Sequence, residues 1–358
     1  MEILDELAVH ARDADEKSVW PTSSWQLLNQ LGGLRWKVPK KYGGDELSGA
    51  ELLARYESLA GACMTTCFIL TQRDSACGRL HAAGKEHLSD RLFPALVRGD
   101  AMITVGLAQL TTSRQHGKPA VLARMEGDHV IIGGVIPWVT GSPRAEHILT
   151  GAALENGDQV VVVLPTDVPG VTVGTPIELA ALQGSLTAEV RCDQVRLPLD
   201  WLLAGPAKLV VIGERGGPGG LETSCLALGL ARSAIGYLFA EMQQRPQLEP
   251  HARRLENARA SLHIELMQLA ADKTGMVTAV QAVRARANAL VLHATQAALA
   301  ASKGTGFVRS HPVQRWARQA LFFLVWSSPW PVTDATMSQL SSPTEQQAQV
   351  QPASAKHD

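Results

Sequence analysis

Thr187-Ala188-Glu189-Val190-Arg191-Cys192-Asp193-Gln194-Val195-Arg196-Leu197-Pro198 lies just past the middle of a 358-residue chain. From Ala188 to Cys192 the side chains alternate apolar and polar, the period of two expected of a half-exposed strand. Upstream, His129 to Val135, His147 to Leu154 and Gln159 to Leu164 are short runs rich in β-branched residues. Gly, Pro and Asp punctuate them, as in Asn156-Gly157-Asp158, so residues 101–205 read as a compact β-unit.

On the N-terminal side the period lengthens, and residues 1–100 read as a helical unit. Ser48-Gly49-Ala50-Glu51 has the pattern of a capping box. Leu52, Tyr56, Leu59 and Cys63 then recur at helical spacing, with Gly43-Gly44 as a turn before them. On the C-terminal side, residues 206–340 read as a four-helix bundle. A long helix is expected from Leu221, after the glycine-rich stretch Gly213 to Gly220. That stretch lacks the Gly-Lys-Ser/Thr ending of a phosphate loop and reads as a helix entrance. Leu255, Ala258, Leu262, Leu266 and Leu269 form one stripe. Val277, Val280, Val283, Ala287, Val291, Ala294 and Ala298 form another, whose small residues imply close helix approach. Pro312 suits the first turn of a last helix that ends at Trp326-Ser327-Ser328-Pro329. Residues 341–358, rich in Ser, Gln and Pro, are expected to be a disordered tail.

Lys and Arg number 33 against 34 Asp and Glu, a balance that points away from nucleic acid and membrane surfaces. No apolar run approaches the roughly 20 residues that span a bilayer, and the acidic start Met1 to Glu6 is no signal peptide, so the cytoplasm is the expected location. The five cysteines are odd in number and scattered, which argues against a disulfide framework. Cys63 and Cys67 read as buried thiols, and no metal site is expected.

Several stretches resemble the acyl-CoA dehydrogenase superfamily. Val38-Pro39-Lys40-Lys41-Tyr42-Gly43-Gly44 is similar to its "VPxxYGG", and Leu92-Phe93-Pro94-Ala95-Leu96-Val97-Arg98-Gly99 to its "LPxLxxG". Thr187 to Pro198 is similar to "TAEVxFDxVxVP". The resemblance covers roughly residues 20–330. It implies a mostly α protein with a central β-domain: an N-terminal helical domain, a small β-barrel and a C-terminal four-helix bundle. It also implies FAD as cofactor, a small-molecule substrate that can be an acyl thioester, and assembly as a homodimer or homotetramer.

By resemblance, Trp138 in Pro137-Trp138-Val139-Thr140-Gly141 would stack on the isoalloxazine, and the Thr140 hydroxyl would face flavin N5. From the residues alone, Trp138 also reads as a strand tryptophan filling the core. Arg245 matches an arginine that contacts the FAD diphosphate, a task that suits a guanidinium fork. It reads equally as a solvated surface arginine, because Pro246 to Glu249 replaces the family's next residues. Gly304 lies in Lys303-Gly304-Thr305-Gly306-Phe307, similar to "GGxGF" with Lys303 replacing one glycine. Arg318 matches an arginine that would pair with an acid across the bundle.

The departures gather on the substrate side. Leu110-Thr111-Thr112-Ser113-Arg114-Gln115 stands where the family has "PGAGSD", and Ala108 replaces a threonine. Ser327 stands where many members carry the glutamate that removes the substrate's α-proton. An unassisted hydroxyl is not that base at neutral pH. Gly219 stands at the other known base position, and Glu222 follows one turn on as the candidate catalytic acid–base group. Its competing reading, the favoured one, is an acid stabilised by the helix dipole. The function expected is therefore a FAD-dependent oxidoreductase of the CH–CH class without its usual base. The alternatives are a flavin-dependent monooxygenase of the same superfamily or a non-catalytic scaffold.

Overall fold

Helical spacing gives way to strand spacing and returns, and the chain is built in that order. The computed structural model describes residues 2–111, 119–210, 220–271 and 277–341. The glycines at 213–219, loop residues 112–115 and the tail at 342–358 lie outside the described residues.

Five helices come first: α1 (Glu2–Glu16), α2 (Thr22–Gln30), α3 (Gly49–Ala62), α4 (Met64–Ala82) and α5 (Glu86–Arg98). Leu52, Tyr56, Leu59 and Cys63 are all buried, as their spacing implies. Ser48 is the N-cap of α3 with extended backbone, but its side chain makes no capping hydrogen bond, so the expected capping box is not formed.

Next come β1 (Ile103–Gly106), the single turn α6 (Ala108–Thr111), β2 (Val121–Glu126), β3 (His129–Val139), β4 (His147–Ala153), β5 (Gln159–Pro165), β6 (Val171–Val173), β7 (Ala188–Pro198) and β8 (Leu202–Ala207). They form one sheet in the order β6-β7-β3-β2-β4-β5-β8, with β1 parallel to β4. The alternation read in Ala188 to Cys192 is real: Ala188, Val190 and Cys192 are buried, Glu189 and Arg191 exposed.

Helices α7 (Leu221–Met242), α8 (Glu249–Ala271), α9 (Val277–Ser302), α10 (Pro312–Phe322) and α11 (Trp330–Ser341) complete the fold. Apolar residues surround α7, as in a helix buried on most sides. No stretch of membrane-spanning length was expected. By length and composition α7 is nonetheless long and apolar enough, with 67% of that window buried inside the fold. A Cβ at Gly229 would lie 2.3 Å from the Glu57 carbonyl of α3, so only glycine lets these helices approach so closely. Leu262 and Leu266 of the α8 stripe are buried, whereas Ala258 is exposed; Val277 also lies outside its stripe's buried face.

The last expected helix stops at Phe322, five residues short of Ser327, and α11 follows it unforeseen. Beyond Phe322 the backbone tightens: Leu324 N donates to Leu321 O and Val325 N to Phe322 O. The cause is aromatic packing. Phe322 and Trp326 stack with centroids 5.1 Å apart, and each meets Phe68 of α4 edge-on at 5.0 Å.

Candidate functional site

Trp138 owes its position to a β-bulge. In the β3–β7 ladder Ile136 pairs with Val190 and Val139 with Ala188, so Pro137 and Trp138 together oppose Glu189. Proline has no amide proton to give the ladder, and the extra residue re-aims its neighbour. Trp138 is left 49% exposed, so it is no core-filling tryptophan.

Thr140 follows and is buried. Its hydroxyl lies 3.2 Å from that of Thr187, which in turn lies 3.0 Å from Ser185 Oγ. Thr104 Oγ1 donates to the Thr140 carbonyl at 2.8 Å, and Gly141 N donates to Ser185 O at 2.8 Å. Gly141 makes the turn at φ +71°, a conformation that favours glycine. The structure thus sets an outward indole two residues before a hydroxyl that meets Thr187, on a backbone held by Thr104 and Ser185.

Gln109 escaped the sequence reading. Its Nε2 donates to Gly106 O at 3.0 Å and Gly151 O at 2.9 Å, and approaches Thr150 Oγ1 at 3.2 Å. It pins the turn α6 onto β4, while its buried Oε1 has no partner among the described residues. No spacing signal marks it, because its partners are backbone groups on other strands.

Arg245 follows the C-terminal end of α7, and Gly304 lies in the turn that ends α9. Arg245 donates to the Ala301 carbonyl near the end of α9 and pairs with Glu241. It is therefore not the free, solvated arginine of the alternative reading. Lys303 has φ +53°, a left-handed conformation that favours glycine. A Cβ at Gly304 would meet nothing within 4 Å, so the turn has open space beside it. Glu222 sits in the first turn of α7, about 30 Å along the helix from the Met242 end that Arg245 follows.

The Glu222 side chain is exposed and folds back over its own helix start, where Oε2 would lie 2.9 Å from a Cβ at Gly220. Burial lowers the pKa of Arg79 on α4, and the Glu222 charge opposes that shift. Glu222 thus stands both at the positive end of a helix and near a partly desolvated guanidinium.

Ser327 occupies the turn between α10 and α11 at φ +44° and is half-buried. Its hydroxyl has no hydrogen-bond partner among the described residues, so no imidazole or carboxylate activates it. The preceding carbonyl, Trp326 O, accepts from Arg284 Nη2 at 3.0 Å. A crevice of about 540 Å³ opens elsewhere, between α5 and the β4–β5 end of the sheet, lined by Arg91, His147 and Trp201 among others. None of the candidate residues lines it.

Arg318 pairs with an acid, but not one across the bundle: its Nη2 lies 2.9 Å from Oδ2 of the buried Asp15 on α1, in the N-terminal helical unit. All five cysteines are buried free thiols.

The family model described as acyl-CoA dehydrogenase, N-terminal domain, matches residues 3–100. The chain is 24% identical over 340 residues to a probable acyl-CoA dehydrogenase, YngJ, of Bacillus subtilis, spanning 88% of each protein. Butyryl-CoA dehydrogenase of Megasphaera elsdenii has the same fold, with a TM-score of 0.79 at 17% identity over 95% of this chain and 96% of that one. So does KijD3, solved with FMN and a dTDP-linked amino-keto sugar, with a TM-score of 0.75 at 18% identity over 95% of this chain and 91% of that one. Matched N-terminal unit, near-full-length relatives and shared architecture agree in supporting the acyl-CoA dehydrogenase superfamily for this chain.

Proposed function

We propose that the protein is a FAD-dependent oxidoreductase that works without the family's usual carboxylate at position 327. The observation that carries the reading is the pairing of exposed Trp138 with tethered Thr140 on one strand end. An aromatic face covers a flavin ring and excludes water, and a fixed hydroxyl gives one hydrogen bond at its redox edge. The flavin, when bound, accepts hydride at that edge. Arg245 and Gly304 hold the diphosphate end: the guanidinium has donors beyond those given to Glu241 and Ala301, and Gly304 leaves room for close approach.

The length of α7 between the Arg245 end and the Glu222 end favours a site completed by a second copy, in a homodimer or homotetramer. Size-exclusion chromatography tests that assembly. Glu222 is the nearest acid to the other known base position, yet its exposure and its place in the first turn favour a dipole role. The substrate is a small molecule, of which acyl thioesters are one class, and the site of action is the cytoplasm.

A second reading follows from Ser327. Oxygenation by reduced flavin needs no α-proton base, and the KijD3 structure holds FMN on this fold. A scaffold without catalysis is the third. The absorbance spectrum of the protein reconstituted with excess FAD tests all three. A bound band near roughly 450 nm is expected; its absence removes both flavin readings. Oxygen uptake that requires a flavin reductase would select the monooxygenase.

A further inference from the structure

Arg284 on α9 is a cation that the fold buries with no carboxylate paired to it among the described residues. It is 0% exposed. Its Nε donates to Asn288 Oδ1 at 2.9 Å and its Nη2 to Trp326 O at 3.0 Å. Its Nη1 and the adjacent Asn288 Nδ2 are buried donors with no acceptor among the described residues. No carboxylate among the described residues pairs with it, and burial alone pulls its pKa down to about 9.

The other two buried arginines each have carboxylates nearby, although Arg315 Nε is also a buried donor with no partner among the described residues. Arg73, 1% exposed, pairs with Asp74 at 2.9 Å and donates to the carbonyls of Leu34 and Leu96. Arg315 lies in the field of Asp15 and Glu16. An uncompensated buried charge costs far more than a missing hydrogen bond. A trapped water supplies an acceptor but no charge, and Trp326 O supplies only a partial one.

We propose that Arg284 Nη1 holds a small monovalent anion of the halide class beneath the turn that carries Ser327. The anion fixes Arg284, and Arg284 fixes the Trp326 carbonyl. The proposal goes beyond the flavin reading and does not depend on it.

The test uses the full-length protein, with chloride exchanged for gluconate at constant ionic strength. The melting temperature should rise by about 2 °C between low and 150 mM-range chloride. Asn288→Asp places a carboxylate against Arg284 and should abolish that response. Crystals grown in bromide should show an anomalous peak in contact with Arg284 Nη1. A chloride-indifferent melting temperature, a full chloride response in Asn288→Asp, or bromide absent from this position would each overturn the proposal. A bromide peak without any chloride response would mean an adventitious ion only and would also overturn it. If Asn288→Asp does not fold, the wild-type melt and the bromide crystals decide together.

Discussion

The hydroxyls of Thr140 and Thr187 lie 3.2 Å apart, so the residue expected at the flavin edge is oriented by a strand that pairs with its own. Replacing Thr187 with Val keeps the shape and removes the tether. One lost hydrogen bond weakens binding by about 1 kcal/mol, or roughly fivefold. Thr187→Val should therefore raise the FAD dissociation constant about fivefold, and Thr140→Val at least as much. Fluorescence quenching of added FAD measures both. Unchanged affinity in the two variants would remove Thr140 from the flavin site.

Among the described residues, Arg318 and Asp15 make the ionic contact that spans the most sequence. Asp15 is fully buried and accepts from Leu182 N at 2.8 Å and Gln319 Nε2 at 2.8 Å, beside Arg318 Nη2 at 2.9 Å. Arg318 Nη1 also donates to Ala180 O at 2.7 Å. Helices α1 and α10 are thereby joined to the loop that delivers Ser185 and Thr187. Removing one partner leaves a buried carboxylate uncompensated. Arg318→Ala should cost about 3 kcal/mol of stability, read as a fall in the urea midpoint. A change below about 0.5 kcal/mol would mean the pair is no better than a surface bridge.

The extent of legibility follows the range of the forces involved. Strand β7 was legible because alternation is local, and so was the start of α7 at Leu221. The end of α10 was not. Leu321 to Trp326 continues an apolar helical pattern, and only contact with Phe68, far earlier in the chain, turns it. Trp138 was found through resemblance. Its bulge had one local sign, Pro137, which cannot pair inside a ladder. Gln109 and the Arg245–Ala301 bond gave no sign, since each depends on a distant carbonyl.

Asp74 sets a pH dependence. It accepts from Tyr56 Oη at 2.8 Å and pairs with Arg73 at 2.9 Å, yet full burial dominates and raises its pKa from 3.8 to about 6. Between those values the folded state holds more protons than the unfolded state. The associated stability is therefore fully present below about pH 4 and is lost as pH rises through 6. Relative to Asp74→Asn, the wild type should lose about 3 kcal/mol between pH 4 and pH 7. Parallel denaturant curves for the two proteins would sink this if they tracked each other across that range.

Ser327 and Glu222 can be tested as a pair in FAD-loaded protein, with anaerobic flavin bleaching by butyryl-CoA as readout. Glu222 is exposed and folds toward its own helix start, so Glu222→Gln should leave the rate within about tenfold of the parent. A fall beyond roughly 10²-fold at unchanged flavin content would make Glu222 the base. Ser327 has no partner to activate it among the described residues, and a carboxylate there would meet the half-buried turn between α10 and α11. Ser327→Glu should speed bleaching at least about 10²-fold, the usual contribution of a positioned base. If bleaching stays at the parent rate while flavin remains bound, position 327 does not face the α-proton. The resemblance that aligned it with the missing glutamate would then be out of register.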